Sequence, residues 1–283
     1  MNLTSAPQVK SLLAAHGIHP KKRFGQNFLI DRNVLDRLLD AARIGPESRV
    51  LEIGPGLGVV TLEAAMRAER VVCVEVDRDF DPILRDVLAD QPNVEIVIED
   101  FLEIDIREFL SARGGKRWTV IANLPYYITT PILTRLIDAK ECFGSILLMV
   151  QREVAQRLKA GAGSDEYGSI SVFTQYHCTI ESVTRVSRNV FYPIPDVDSE
   201  LVKLDVRERP AVEVSDEALF FRVVRAAFGK RRKTLLNALS SSDDLGWDRA
   251  QAESALVRSG IDAGRRGETL SLAEFAAIAS AAE

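Results

Sequence analysis

A chain of 283 residues, 46% hydrophobic and 27% charged, is long enough for one large domain or a large one joined to a small one. Its longest apolar run, SILLMV, is far too short to span a bilayer, and the N-terminal MNLTSAPQVKSLLAAHG lacks the charged start, apolar core and cleavage site of a secretory leader; both predict a cytoplasmic protein without a membrane partner. The net charge of −5 argues mildly against a nucleic-acid partner, and the scattered Cys73, Cys142 and Cys178, with His16, His19 and His177 in no ligand spacing, predict reduced thiols and no metal.

The average charge hides two basic stretches. The first, VKSLLAAHGIHPKKRFGQNF, carries Lys10, Lys21, Lys22 and Arg23 and no acid. The second, FRVVRAAFGKRRKTLLNAL, carries Arg222, Arg225, Lys230, Arg231, Arg232 and Lys233 and no acid. Local patches, rather than the net charge, decide where a polyanion docks. Lys21, Lys22 and Arg23, with Arg231, Arg232 and Lys233, are therefore the candidate phosphate contacts.

Between these stretches the chain alternates. RVLEIG reads as a strand, VVTLEAAMRA as a helix, RVVCVEVD as a strand and RDFDPILRDVLAD as a helix. VEIVIED, WTVIANLP and SILLMVQ add three strands. Such alternation predicts an α/β fold with a mostly parallel sheet, whose ligands bind at the carboxyl ends of the strands. Past Ser182 the Pro-rich SVTRVSRNVFYPIPDVDSELVKLDV predicts antiparallel edge strands. DEALFFRVVRAAFG, KRRKTLLNALS, DRAQAESALVRSG and SLAEFAAIASAAE then predict helices. The linker after residue 206 divides the chain into a domain over 1–206 and a helical domain over 207–283.

LEIGPGLG places Gly54, Gly56 and Gly58 directly after a strand, with Glu52 two residues before the first glycine. The spacing is G-x-G-x-G rather than the dinucleotide G-x-G-x-x-G, and Pro55 removes an N–H that a pyrophosphate would use. Glu75, ending the next strand, stands where an acid takes ribose hydroxyls. Asp100, ending the third, suits an exocyclic adenine amine, with Phe101 beside it to pack on the ring. Three acids at three successive strand ends describe a nucleoside pocket without a phosphate site, and S-adenosylmethionine is the common ligand of that description.

The fourth strand ends in IANLPYY. An adenine N6 is a poor nucleophile because its lone pair is delocalised into the ring. The Asn123 side-chain oxygen and the Leu124 carbonyl can accept its two hydrogens, Pro125 fixes the turn, and Tyr126 can stack on the base. No strong base is needed, because the amine loses its proton after it becomes cationic. Catalysis is then alignment and electrostatic support, acting on a base taken out of its helical stack.

These motifs, in this order, resemble those of the small-subunit ribosomal RNA adenine N6,N6-dimethyltransferases of the KsgA type, over nearly the whole chain. KKRFGQNFL, EIGPGLG, VEVD, EDF, ANLPYY, MVQREVAQRL, GSDEYGSISV, FYPIPDVDS and AFGKRRKTLLNAL all carry the resemblance. Lys230 departs from it, where Gln is expected. The resemblance implies a Rossmann-like class I methyltransferase sheet with a smaller, all-helical, RNA-contacting C-terminal domain. It implies that Asn27 and Leu29 help hold the cofactor's methionine end, that Gly54, Gly56, Glu75, Asp100 and Asn123 line its site, and that Phe191 sandwiches the flipped adenine opposite Tyr126. It implies S-adenosyl-L-methionine as donor, S-adenosyl-L-homocysteine as product and no metal. The implied substrate is a pair of adjacent adenines in the 3′-terminal hairpin loop of 16S rRNA within a pre-30S particle, modified by a monomer.

The nearest alternative is the erythromycin-resistance type of adenine methyltransferase, acting on 23S rRNA. FGQNFL, GSDEYG and the C-terminal basic stretch favour the assembly enzyme. A non-enzymatic assembly factor on the same fold is opposed by the intact Glu75, Asp100, Asn123, Tyr126 and Phe191. A DNA methyltransferase would more often carry D-P-P-Y, and a nicotinamide dehydrogenase is opposed by the glycine spacing and Pro55.

Overall fold

Among the described residues nine strands form in chain order: β1 (Phe28–Leu29), β2 (Arg49–Ile53), β3 (Arg70–Glu75), β4 (Val94–Ile98), β5 (Trp118–Asn123), β6 (Phe143–Gln151), β7 (Cys178–Val186), β8 (Phe191–Tyr192) and β9 (Ser199–Val206). The computed structural model describes residues 3–21, 25–114, 117–124, 128–230 and 232–282. Seven strands make one sheet in the order β4-β3-β2-β5-β6-β9-β7. β2 to β6 run parallel, with Val50 beside Val71 and Thr119, and Val120 beside Ile146. β9 runs antiparallel to β6.

The β-branched runs explain the centre of this sheet. Val71, Val72, Cys73 and Val74 are all buried. A parallel strand covered on both faces needs apolar side chains at consecutive positions. β4 is only half-buried along its length, as its place at the sheet edge requires. The expectation of edge strands past Ser182 holds for β7, at the edge of the large sheet, and for β8, paired with β1 in a two-stranded sheet, but not for β9. β9 lies between β6 and β7, and its first six residues, SELVKL, are buried.

The chain moves outward from β2 to β3 and β4, then returns to the other side of β2 as β5. That reversal leaves a crevice at the carboxyl ends of β2 and β5, where loops diverge. The helix Arg32–Ala42 covers the sheet with Leu35, Leu38, Leu39 and Ala42 buried, the spacing of a single helical face. Asp31 caps it by accepting from the Val34 N–H.

Two compact units result, Met1–Ala155 with Ile180–Val206, and Gln156–Thr179 with Arg207–Glu283. The division expected after residue 206 is therefore one of three crossings, and residues 156–179 belong to the second unit. Val172 and Tyr176, on the helix Ser169–His177, pack with Phe220, Val224, Leu256 and Phe275 in one apolar core, which accounts for the assignment. The other helices of that unit are Glu217–Gly229, Leu235–Leu239, Arg249–Ser259 and Leu272–Ala281. Asp216, Asp248 and Ser271 cap three of them.

The helical reading of KRRKTLLNALS is corrected in part. The preceding helix ends at Gly229, and a turn closed by Lys233 N–H donating to the Lys230 carbonyl precedes the restart at Leu235. Arg232 and Lys233 are thus exposed on a connection rather than on a helix face.

Candidate active site

The crevice at the end of β2 is floored by the glycine loop. Gly54, Gly56 and Gly58 all take positive φ, a region closed to most side chains. A Cβ on Gly56 would stand 3.1 Å from the Phe28 ring. The loop is fastened to the neighbouring strand by Gly54 N–H donating to the Val74 carbonyl at 2.9 Å.

Glu75 is buried at the end of β3. Its Oε2 accepts from Gly56 N–H at 3.1 Å and its Oε1 from Asp77 N–H at 2.9 Å. Burial pushes its pKa up, and the backbone N–H groups only partly oppose that. Glu52, 4% exposed, also lines the cleft and accepts from the Thr61 hydroxyl at 2.5 Å. Burial raises its pKa to about 7, against the Thr61 hydrogen bond and with some help from the charge of Glu75. Asp100, at the end of β4, is exposed. Its Oδ1 accepts from Leu102 N–H at 2.9 Å, which leaves Oδ2 for a ligand.

Asn123 and Leu124, ending β5, line the same cleft as Asn27, Leu29, Gly54, Gly56, Glu75 and Asp100. β1 carries the N-terminal residues there by pairing antiparallel with β8, Phe28 opposite Tyr192 and Leu29 opposite Phe191. Asn123 Nδ2 donates to the Asn27 carbonyl at 3.1 Å. That bond fixes the amide, with its nitrogen engaged and its Oδ1 left as the acceptor.

Two of the expected site residues have other contacts here, and five lie outside the described residues. Phe191 is not among the described residues that line the cleft. It is 2% exposed and packs with Leu29, Ile121 and Met149, which do line it. Alternation along β8 sends Phe191 inward and leaves the Tyr192 ring under the Lys10 ammonium, 5.1 Å from its centroid. Lys21 is not a free cation for phosphate. Its Nζ donates to Asp77 Oδ1 at 2.9 Å and Asp79 Oδ2 at 2.5 Å. Pro125, Tyr126, Lys22, Arg23 and Arg231 lie outside the described residues.

Sequence reading assigned no part to Asp77 or Gln26, and counted Glu52 only among the strand-end acids. Asp77 stands inside VEVD and Gln26 inside FGQNFL, so the motifs hold them, but nothing local says that they meet.

Among the described lining residues there are four acids, Glu52, Glu75, Glu99 and Asp100, and no Lys, Arg or His. Such a cleft disfavours a pyrophosphate and favours a cationic ligand. Among the described residues no group of His, Cys, Asp and Glu is arranged to hold a metal ion, and no helix is long and apolar enough to cross a membrane.

The model of the ribosomal RNA adenine dimethylase family matches residues 18–282. The chain belongs to that family.

Ribosomal RNA small subunit methyltransferase A of Pelotomaculum thermopropionicum is 49% identical to this family member over 284 aligned residues, covering 98% of this chain and 96% of that protein. The protein of the same name from Bacillus mycoides is 45% identical, covering 99% and 97%. Among solved structures, the 23S rRNA methyltransferase ErmE is 27% identical with a TM-score of 0.68, covering 90% of this chain and 99% of that one. A dimethyladenosine transferase from Plasmodium falciparum is 24% identical with a TM-score of 0.71, covering 88% and 95%, and shares the fold. The α/β unit of this rRNA adenine dimethylase is thus a Rossmann-like class I methyltransferase sheet, joined to a smaller helical unit.

Proposed function

We propose that this enzyme transfers methyl groups from S-adenosyl-L-methionine to the N6 atoms of two adjacent adenines in the 3′-terminal hairpin loop of 16S rRNA, twice on each. It acts as a cytoplasmic monomer on a pre-30S particle. The observation that carries the reading is the acid-lined cleft, with no cation among its described lining residues, that ends at the anchored amide of Asn123.

The residues of the cleft fit the donor. Glu75 holds the ribose hydroxyls with the lone pairs its backbone partners leave. Asp100 accepts from the adenine amine through Oδ2, beside Phe101. Gly54 and Gly56 let the ligand approach the backbone, and Asn27 and Leu29 close the methionine end. The bound donor supplies a sulfonium methyl, and the carbon–sulfur bonding pair leaves with sulfur as S-adenosyl-L-homocysteine forms.

On the acceptor side, Asn123 Oδ1 and the Leu124 carbonyl take the two N6 hydrogens. They draw the nitrogen lone pair out of the ring and align it with the methyl. The nitrogen forms its new bond to carbon, becomes cationic and then loses one hydrogen as a proton to water. Tyr126 stacks on the base, as the ANLPYY motif implies. Arg232 and Lys233, exposed in the second unit, serve as RNA phosphate contacts together with Arg231, Lys22 and Arg23.

The test is transfer of labelled methyl to undermethylated small-subunit particles, followed by nucleoside analysis. N6,N6-dimethyladenosine in the 16S hairpin loop is expected. Transfer to naked 23S rRNA instead would move the chain to the substrate of ErmE, whose fold it shares. Cofactor binding with no transfer to either RNA would leave an assembly factor.

A further inference from the structure

The segment Gly25–Leu29 meets the cleft from a distant part of the chain. Gly25, Gln26, Asn27, Phe28 and Leu29 all line it. This segment is held at its far end by β1 pairing with β8, and at its middle by Asn123 donating to the Asn27 carbonyl. Its near end is held by the carboxylate of Asp77, with Lys21 paired to Asp79 as well.

Asp77 is 6% exposed and is not among the residues lining the cleft. Its Oδ1 accepts from Lys21 Nζ at 2.9 Å and from Asp79 N–H at 3.3 Å. Its Oδ2 accepts from Gln26 Nε2 at 2.8 Å. Gln26 Oε1 in turn accepts from Lys21 N–H at 2.7 Å, so Gln26 and Lys21 form a closed ring with the carboxylate. The Asp77 N–H donates to Glu75 Oε1, and Glu75 Oε2 holds Gly56 N–H. One buried side chain therefore ties the N-terminal segment to Glu75 and, through it, to the glycine loop.

We infer that Asp77, acting through Gln26 and Lys21, is a positioning residue that holds the Gly25–Leu29 segment as a closed wall of the cofactor cleft. It thereby sets affinity for the S-adenosyl ligand without taking part in methyl transfer. The inference rests on the proposed function and adds to it a determinant of donor binding. The physical reason is that a wall fixed before binding costs no ordering when the ligand arrives. Breaking a buried hydrogen-bonded carboxylate leaves its donors unpaired, so the wall opens rather than relaxing locally.

Asp77→Asn keeps the shape and sets an amide N–H₂ against donors. Calorimetric titration of the wild-type chain with S-adenosyl-L-homocysteine gives the reference Kd. Asp77→Asn is expected to raise that Kd by about tenfold or more, to raise the KM for the methyl donor in parallel, and to change kcat at saturating donor by less than about threefold. Gln26→Ala, at a half-buried position, is expected to move Kd in the same direction by less. The double variant should bind no worse than Asp77→Asn alone, because the two act through one contact.

A wild-type Kd in both single variants would overturn the inference while leaving the proposed function intact. So would a fall in kcat at unchanged Kd, or additive losses in the double variant. Failure of the wild-type chain to bind the ligand would sink the proposed function and this inference with it. If Asp77→Asn does not fold, Gln26→Ala alone decides: unchanged Kd refutes the closed wall.

Discussion

In the first unit, Glu52 and Glu75 lie buried at the ends of β2 and β3, with backbone N–H groups and one hydroxyl for partners. In the second unit, Glu274 meets the Arg265 guanidinium and also accepts from the N–H and hydroxyl of Ser271, at the start of its own helix. Burial raises the first pair, Glu52 to about 7. Arginine and the helix cap lower Glu274 to about 2. A carboxylate with a cation beside it is settled within the fold. A buried one without a cation keeps negative potential in reserve, and a ligand carrying positive charge relieves it. The contrast separates the acids that serve a ligand from those that serve the scaffold.

The largest effect should come from Phe191, buried among residues that line the cleft. Phe191→Ala is expected to cost about 3–5 kcal/mol of stability, the range for an aromatic removed from a packed core. Denaturant unfolding measures it. Lost methylation with unchanged unfolding would show instead that the ring works at the surface as a base stacker. Asn123→Ala should do the reverse. Methyl transfer at saturating donor should fall about 10²- to 10³-fold, the scale for one preorganised group at a reacting atom, well beyond the loss of S-adenosyl-L-homocysteine affinity that freeing the Asn27 carbonyl brings. Equal losses of affinity and rate would place Asn123 in cofactor binding alone.

Glu274→Ala removes a capping box and is expected to cost about 1 kcal/mol, seen as a lower melting temperature, with cofactor affinity unchanged. A large loss of affinity there would erase the distinction between the two kinds of acid.

The smallest effect is in the pH dependence, and its sign differs between the units. Glu52 has a folded pKa near 7, above its ordinary 4.5. Between those values the folded, ligand-free protein keeps a proton that the unfolded chain releases. Stability from this group is therefore full below about 4.5 and is lost as pH rises toward 7. Glu274, near 2, contributes stability above about 4.5 that is lost as pH falls toward 2. Glu52→Gln should flatten the melting-temperature profile between pH 4.5 and 7, though not wholly, because Glu75 shifts the same way. An unchanged slope would show that Glu52 is not held protonated by its burial.

Much of this site was legible because its signals are local. β-branched runs closed by Gly, Pro or Asp mark strands, and the acids and the Asn sit at their carboxyl ends whatever the rest of the chain does. The α/β alternation, the glycine loop, Glu75, Asp100 and Asn123 could all be read in that way. The basic residues were harder. A Lys in an acid-free stretch looks available for phosphate, yet Lys21 meets Asp77 56 positions away. The burial of Phe191 is likewise not local, because it depends on which strand β8 pairs with.

The sequence by itself determined the order of strands and helices, the loop that approaches a ligand, and the chemical types offered at each strand end. Periodicity and turn chemistry act over a few residues, so they survive without a partner. Only the tertiary structure decided that Asn123 anchors to the carbonyl of Asn27 across 96 positions, that Asp77 gathers Lys21 and Gln26, and that residues 156–179 belong to the second unit. Each of those depends on which surfaces the crossovers bring together, and a hydrogen bond a few ångströms long has no signature in a sequence until the topology has closed it.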